Sequence, residues 1–197
     1  MFKQLLATAT AASLGLLAGT PALAANGGLD AQHQMLLDTL RSKGVHVEVN
    51  VPEVCSPTKT PESTHGVYFY APNYGHSMMA ICQDFGGQGE EVLWTDNDLD
   101  TLRHESVHFL QDCMDTKVDG EMVPLFDGPG GPSPIDATLQ DVVAAIGYGP
   151  ATDIVTRYTE AGVSEDIIRL ELEAFFSAAD IDAVTIAKSI DKVCPAY

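Results

Sequence analysis

Residues 95–113 read TDNDLDTLRHESVHFLQDC. Thr95 to Asp98 supply several side chains suited to cap a helix, and Leu99, Leu102, Phe109 and Leu110 follow as its apolar anchors. The stretch therefore predicts a helix from about Leu99 to Cys113. Within it His104 and His108 lie a little over one helical turn apart, so both imidazoles leave the same face and can converge on one ion. Glu105 sits beside His104 and leans toward the same point without having to ligate. A carboxylate there can take a proton from water activated by zinc, which makes Glu105 the expected general base.

N-terminal to this helix the pattern is that of strands. VHVEVNV (45–51) alternates valine with polar residues at the two-residue period of a strand with one buried face, and Pro52 ends it. GVYFYAP (66–72) and SMMAIC (77–82) are β-prone runs separated by Asn73-Tyr74-Gly75-His76, which predicts a hairpin. A glycine-rich turn, 86–89, follows. Before the strands, LDAQHQMLLDTLRSK (29–43) spaces Leu36, Leu37 and Leu40 as an opening helix, with Gly44 as its stop.

C-terminal to the central helix, 114–134 contains DGPGGPSP and has no periodicity, as expected of a loop. Helices are expected over 135–147, 150–161, Ser164 to about Ala179, and about 180–193. Ser164 with Glu165 and Asp166 behind it is a favourable helix start, because acidic groups complement the positive end of the dipole. A small twisted sheet in the N-terminal half and a helical C-terminal half make an α+β fold: β-rich over 45–95, the histidine helix at about 99–113, helical over 135–193.

The first residues, MFKQLLATATAASLGLLAGTPALA, carry one lysine, an apolar stretch and Ala22-Leu23-Ala24. This predicts a secretory signal peptide over 1–24, leaving 25–197 as one domain that is secreted or periplasmic, with no membrane association after cleavage. A formal net charge of −18 argues against nucleic acid or an anionic membrane as partner, since both would repel the surface. Cys55, Cys82, Cys113 and Cys194 are an even set with no C-x-x-C pair, which favours two disulfides over a cysteine-bound zinc. Position favours Cys55 with Cys82, bracketing the hairpin, and Cys113 with Cys194, tying the end of the histidine helix to the chain terminus. Closing a loop of that second length restricts the unfolded chain by about 4 to 5 kcal/mol in the entropy model.

His104-Glu105-Ser106-Val107-His108 resembles the H-E-x-x-H signature of the zincin metallopeptidases. The metzincin branch is excluded, because Gln111 stands where its glycine would be and Met114 where its third histidine would be. The gluzincin branch takes its third ligand from a glutamate on a later helix, often followed by alanine, and Glu171-Leu172-Glu173-Ala174 offers two. On a helix these point about 200° apart, so they cannot face one ion in the same way. The alanine register selects Glu173, with Phe175, Ala178 and Ala179 as the apolar positions beyond it. A helical wheel leans instead toward Glu171, nearer the face of Ile168, Leu172 and Phe175.

The resemblance thus implies a zinc-dependent peptidase acting on peptide or protein substrates, with His104, His108 and Glu173 as metal ligands and Glu105 as catalytic base. It departs from thermolysin-related members in one respect: four residues after Glu173, where they carry an aspartate that orients a histidine, this chain has Ser177. Tyr148, Tyr158, His65 and His76 are available as donors to an oxyanion, and the strand ending near Cys82 is a candidate for pairing with an extended substrate. Two other readings stand beside this one: a secreted zinc-binding domain without catalysis, and a disulfide-stapled binding module in which the histidines are incidental.

Overall fold

A computed structural model describes residues 28–56, 64–86, 91–126, 144 and 147–195. The expected signal peptide, most of the 86–89 turn, residues 127–134 of the 114–134 loop and nearly all of the 135–147 helix lie outside these residues. The described elements are α1 (Ala31–Ser42), β1 (His46–Val49), β2 (Gly66–Ala71), β3 (His76–Ile81), α2 (Asp96–Asp112), α3 (Tyr148–Glu160), α4 (Glu165–Asp180) and α5 (Ala183–Val193). The chain is α+β, as its patterning predicts.

β2 and β3 form the expected antiparallel hairpin, from Gly66 opposite Ile81 to Ala71 opposite His76. Gly75 closes its turn with φ +67°, a conformation glycine adopts without steric cost. β1 adds in parallel to the other side of β3, with His46 opposite Met78, giving the order β1-β3-β2. The substrate-pairing expectation for the strand ending near Cys82 is therefore corrected. That strand, β3, is central, and both of its edges are already hydrogen-bonded.

α2 begins three residues earlier than its apolar anchors suggest. Thr95 and Asp98 form a reciprocal capping box, with Asp98 N donating to Thr95 Oγ1 at 3.1 Å and Thr95 N to Asp98 Oδ2 at 2.8 Å. The helix packs on β2 and β3 and, elsewhere on its surface, on α4 and α5. Being enclosed on several sides, it buries Leu102, Val107, Phe109 and Leu110 together with His104, Glu105, Ser106, His108, Gln111 and Asp112. Each of those polar groups needs a partner inside the protein. Asp112 shows how this is met: it accepts from the Tyr68 hydroxyl on β2 and from the backbone N–H groups of Asp119 and Gly120.

Both disulfides form as positioned, Cys55–Cys82 and Cys113–Cys194, the latter joining the end of α2 to the end of α5 across 81 residues of sequence. Disulfides persist in oxidising compartments, which agrees with an extracellular setting. No helix among the described residues is long and apolar enough to cross a membrane.

Candidate metal centre

The helical repeat of α2 places His104 and His108 one above the other on the face turned to α4. Their Nε2 atoms are 3.1 Å apart. Facing them is Glu171 of α4, whose Oε2 lies 3.4 Å from His104 Nε2 and whose Oε1 lies 3.6 Å from His108 Nε2. These three side chains could hold a metal ion. Donor atoms 2.0–2.1 Å from a tetrahedral zinc stand about 3.3 Å from one another, so the triangle has the size such an ion requires. The donor set, two imidazoles and one carboxylate, is also of the right chemistry.

Glu173 is not at this centre, and its expected role as third ligand is corrected. It is fully buried on another face of α4. There its carboxylate accepts from the backbone N–H groups of Leu125 (2.7 Å) and Phe126 (3.4 Å), from Gln111 Nε2 (3.2 Å) and from Arg169 Nε (3.4 Å). The physical reason is tertiary. The segment at 123–126 folds against α4 and brings backbone donors into the interior, and a carboxylate is what satisfies them. Which glutamate faces the histidines then follows from the packing of α4 on α2, the outcome the helical wheel favoured.

The electrostatics follow from burial and proximity. Burial opposes charge on His108, but the Glu171 carboxylate outweighs it and raises the imidazole pKa to about 9. Burial likewise opposes ionisation of Glu171, yet the two histidines hold it well below the usual carboxylate range. Each member of the pair thus favours the charged form of the other. Tyr158 of α3 steadies the carboxylate by donating to Glu171 Oε2 at 2.9 Å.

Glu105 lies against β2, where its carboxylate accepts from the Tyr68 backbone N–H. Burial pushes its pKa up, opposed by the neighbouring histidines. The approach of β2 to α2 is close at Gly66: a β-carbon there would come within 2.6 Å of Thr101 Cγ2 and 2.7 Å of Glu105 Oε1. Glycine is required at that crossing. His104, Glu105, His108 and Glu171 are each 5% exposed or less.

Of the four candidate oxyanion donors only Tyr158 reaches the centre. Tyr148 is 72% exposed, His76 stands beside Tyr74 and His46 at the hairpin turn, and His65 meets Asn97 and Asp84 near the start of α2. With Glu171 as the carboxylate, the position four residues on is Phe175 rather than Ser177. Its ring packs on His104 at a centroid separation of 4.5 Å, and His104 Nδ1 is buried with no hydrogen-bond partner among the described residues. Two contacts escaped the sequence reading, that of Gln111 with His108 and that of Tyr158 with Glu171. Gln111, on the His108 face three residues on, was legible from helical spacing, whereas Tyr158 reaches Glu171 only through the packing of α3 on α4. No family model, curated protein or solved structure matches the chain.

Proposed function

We propose that the chain is a secreted zinc-dependent peptidase of gluzincin type, with His104, His108 and Glu171 as ligands and Glu105 as general base. The observation that carries this reading is the buried triangle of donors at 3.1, 3.4 and 3.6 Å with Glu105 adjoining it. A carboxylate completing H-E-x-x-H from a later helix is the gluzincin arrangement, and two disulfides suit an exported enzyme.

When bound, zinc supplies a Lewis acid that polarises a substrate carbonyl and lowers the pKa of a coordinated water. Glu105 takes the proton of the attacking water on its carboxylate as the new C–O bond forms, and passes it to the amine as the C–N bond breaks. Its burial favours this, because a carboxylate less stable as an anion is a stronger base. The Tyr68 N–H and the close crossing at Gly66 keep it from turning away.

The near-complete burial of all four side chains supports a second reading, a zinc-binding domain without catalysis. One substitution separates the two. Glu105→Gln keeps shape but cannot accept a proton, so it should retain about one zinc per chain and lose hydrolysis of unfolded protein substrates by several orders of magnitude. Zinc binding with no hydrolysis by the wild type favours the second reading, and a wild type without zinc after reconstitution sinks both.

A further inference from the structure

Gln111 lies at the junction of the two buried carboxylates of α4, although it is neither ligand nor base. Its side-chain nitrogen faces the Leu170 carbonyl at 3.0 Å, which can only accept, and Glu173 Oε2 at 3.2 Å, the oxygen that also accepts from the Leu125 N–H. An amide flip would set its oxygen against both, so the orientation is determined. The oxygen Oε1 therefore faces His108 Nδ1, at 2.8 Å. An acceptor at that distance requires Nδ1 to carry the hydrogen.

We propose that Gln111, held by Glu173, is a positioning residue that locks His108 as the Nδ1–H tautomer and aims its Nε2 lone pair at the metal. This rests on the metal-site reading given above. It also accounts for a carboxylate buried so near the centre yet outside it. Glu173 accepts from the Leu125 and Phe126 amides and from Gln111 together, so the 123–126 segment, α4 and the His108 ring share one hydrogen-bonded chain. Outer partners of metal-bound histidines fix ring orientation and raise ligand basicity, and their loss typically costs 10–100-fold in affinity. His104 has no such support, its Nδ1 having no partner among the described residues, so the burden of orientation falls unequally on the two rings.

The test uses the full chain and zinc ion. Gln111→Met keeps the volume and removes both amide groups. Competitive chelator titration should show zinc held roughly 10–100-fold more weakly than by the wild type. In zinc-loaded wild type, imidazole nitrogen NMR should show His108 Nδ1 protonated and slow to exchange, and Nε2 without hydrogen. Equal zinc affinity in a folded Gln111→Met, or a loaded wild type in which Nδ1 lacks its proton, overturns the assignment. If the variant does not fold, the wild-type spectrum decides alone. A wild type that binds no zinc overturns the metal-site reading itself, and this inference with it.

Discussion

The Tyr158 hydroxyl, on α3, donates to Glu171 Oε2, on α4, at 2.9 Å, and both side chains are buried. Burial and the adjacent Glu171 charge push the phenol pKa far above its ordinary value, so it remains a donor at any working pH. Tyr158→Phe keeps the ring among Ile154 and Ile168 and removes only the donor. Zinc affinity should fall by about tenfold with little change in the unfolding midpoint. Equilibrium dialysis showing no loss would make the bond incidental to the site.

Glu171 and Glu173 should fail differently. Glu171→Ala removes a metal-facing carboxylate, and zinc retention should fall by more than the roughly 100-fold typical of an outer partner. Glu173→Ala leaves the Leu125 and Phe126 amides and Gln111 Nε2 without their acceptor, at about 1–3 kcal/mol for each buried group. Its main signature should be a lowered urea midpoint. Chelator titration and urea unfolding of both variants decide the matter, and a Glu173→Ala that leaks zinc faster than Glu171→Ala would restore the alanine-register argument.

Gly66→Ala probes the base without touching a ligand. The added methyl would meet Thr101 and Glu105 at under 3 Å, so the packing of β2 on Glu105 must change. A displacement of about 1 Å at a reacting group can cost on the order of 100-fold in rate. Zinc stoichiometry should stay as in the wild type while hydrolysis falls by that order. Unchanged turnover would mean that β2 does not hold Glu105 in its working position.

Stability should depend on pH through His33, a buried residue of α1. Its Nδ1 bonds to Asp30 Oδ2 at 2.7 Å, and its Nε2 accepts from Arg103 Nη1 at 2.6 Å, with Asp100 on the far side of the guanidinium. Burial lowers the His33 pKa, Asp30 and Asp100 oppose that, and the Arg103 charge adds to the lowering. The folded pKa is thus below the unfolded one, so the unfolded chain takes the proton first. The contribution of His33 is intact above the ordinary value of about 6.5 and is lost as pH falls from there toward the folded pKa. His33→Gln can satisfy the same two partners without titrating, so its urea midpoint should drop less between pH 7 and pH 5. Identical slopes for the two proteins would exclude His33 as a source of the dependence.

Much of the site was legible because its information is local. His104, Glu105 and His108 lie within little more than one helical turn, so periodicity placed them, and the cap lies among the four residues, Thr95 to Asp98, that offered one. The β2–β3 hairpin is local for the same reason. The parallel pairing of β1 with β3 is not, since it joins segments some 30 residues apart, and without it β3 looked free to accept a substrate strand.

What the sequence by itself determined was the constellation on α2: two imidazoles and a carboxylate on one helix, with cysteines positioned to staple the hairpin and the end of that helix. Which glutamate completes it was decided only in three dimensions. Glu171 and Glu173 are both buried on one helix, and periodicity says that they point apart, not what each will meet. The fold answers by bringing α2 and its histidines to one of them and the backbone amides of Leu125 and Phe126 to the other. A buried carboxylate must be neutralised or hydrogen-bonded, and only the tertiary structure supplies the partner.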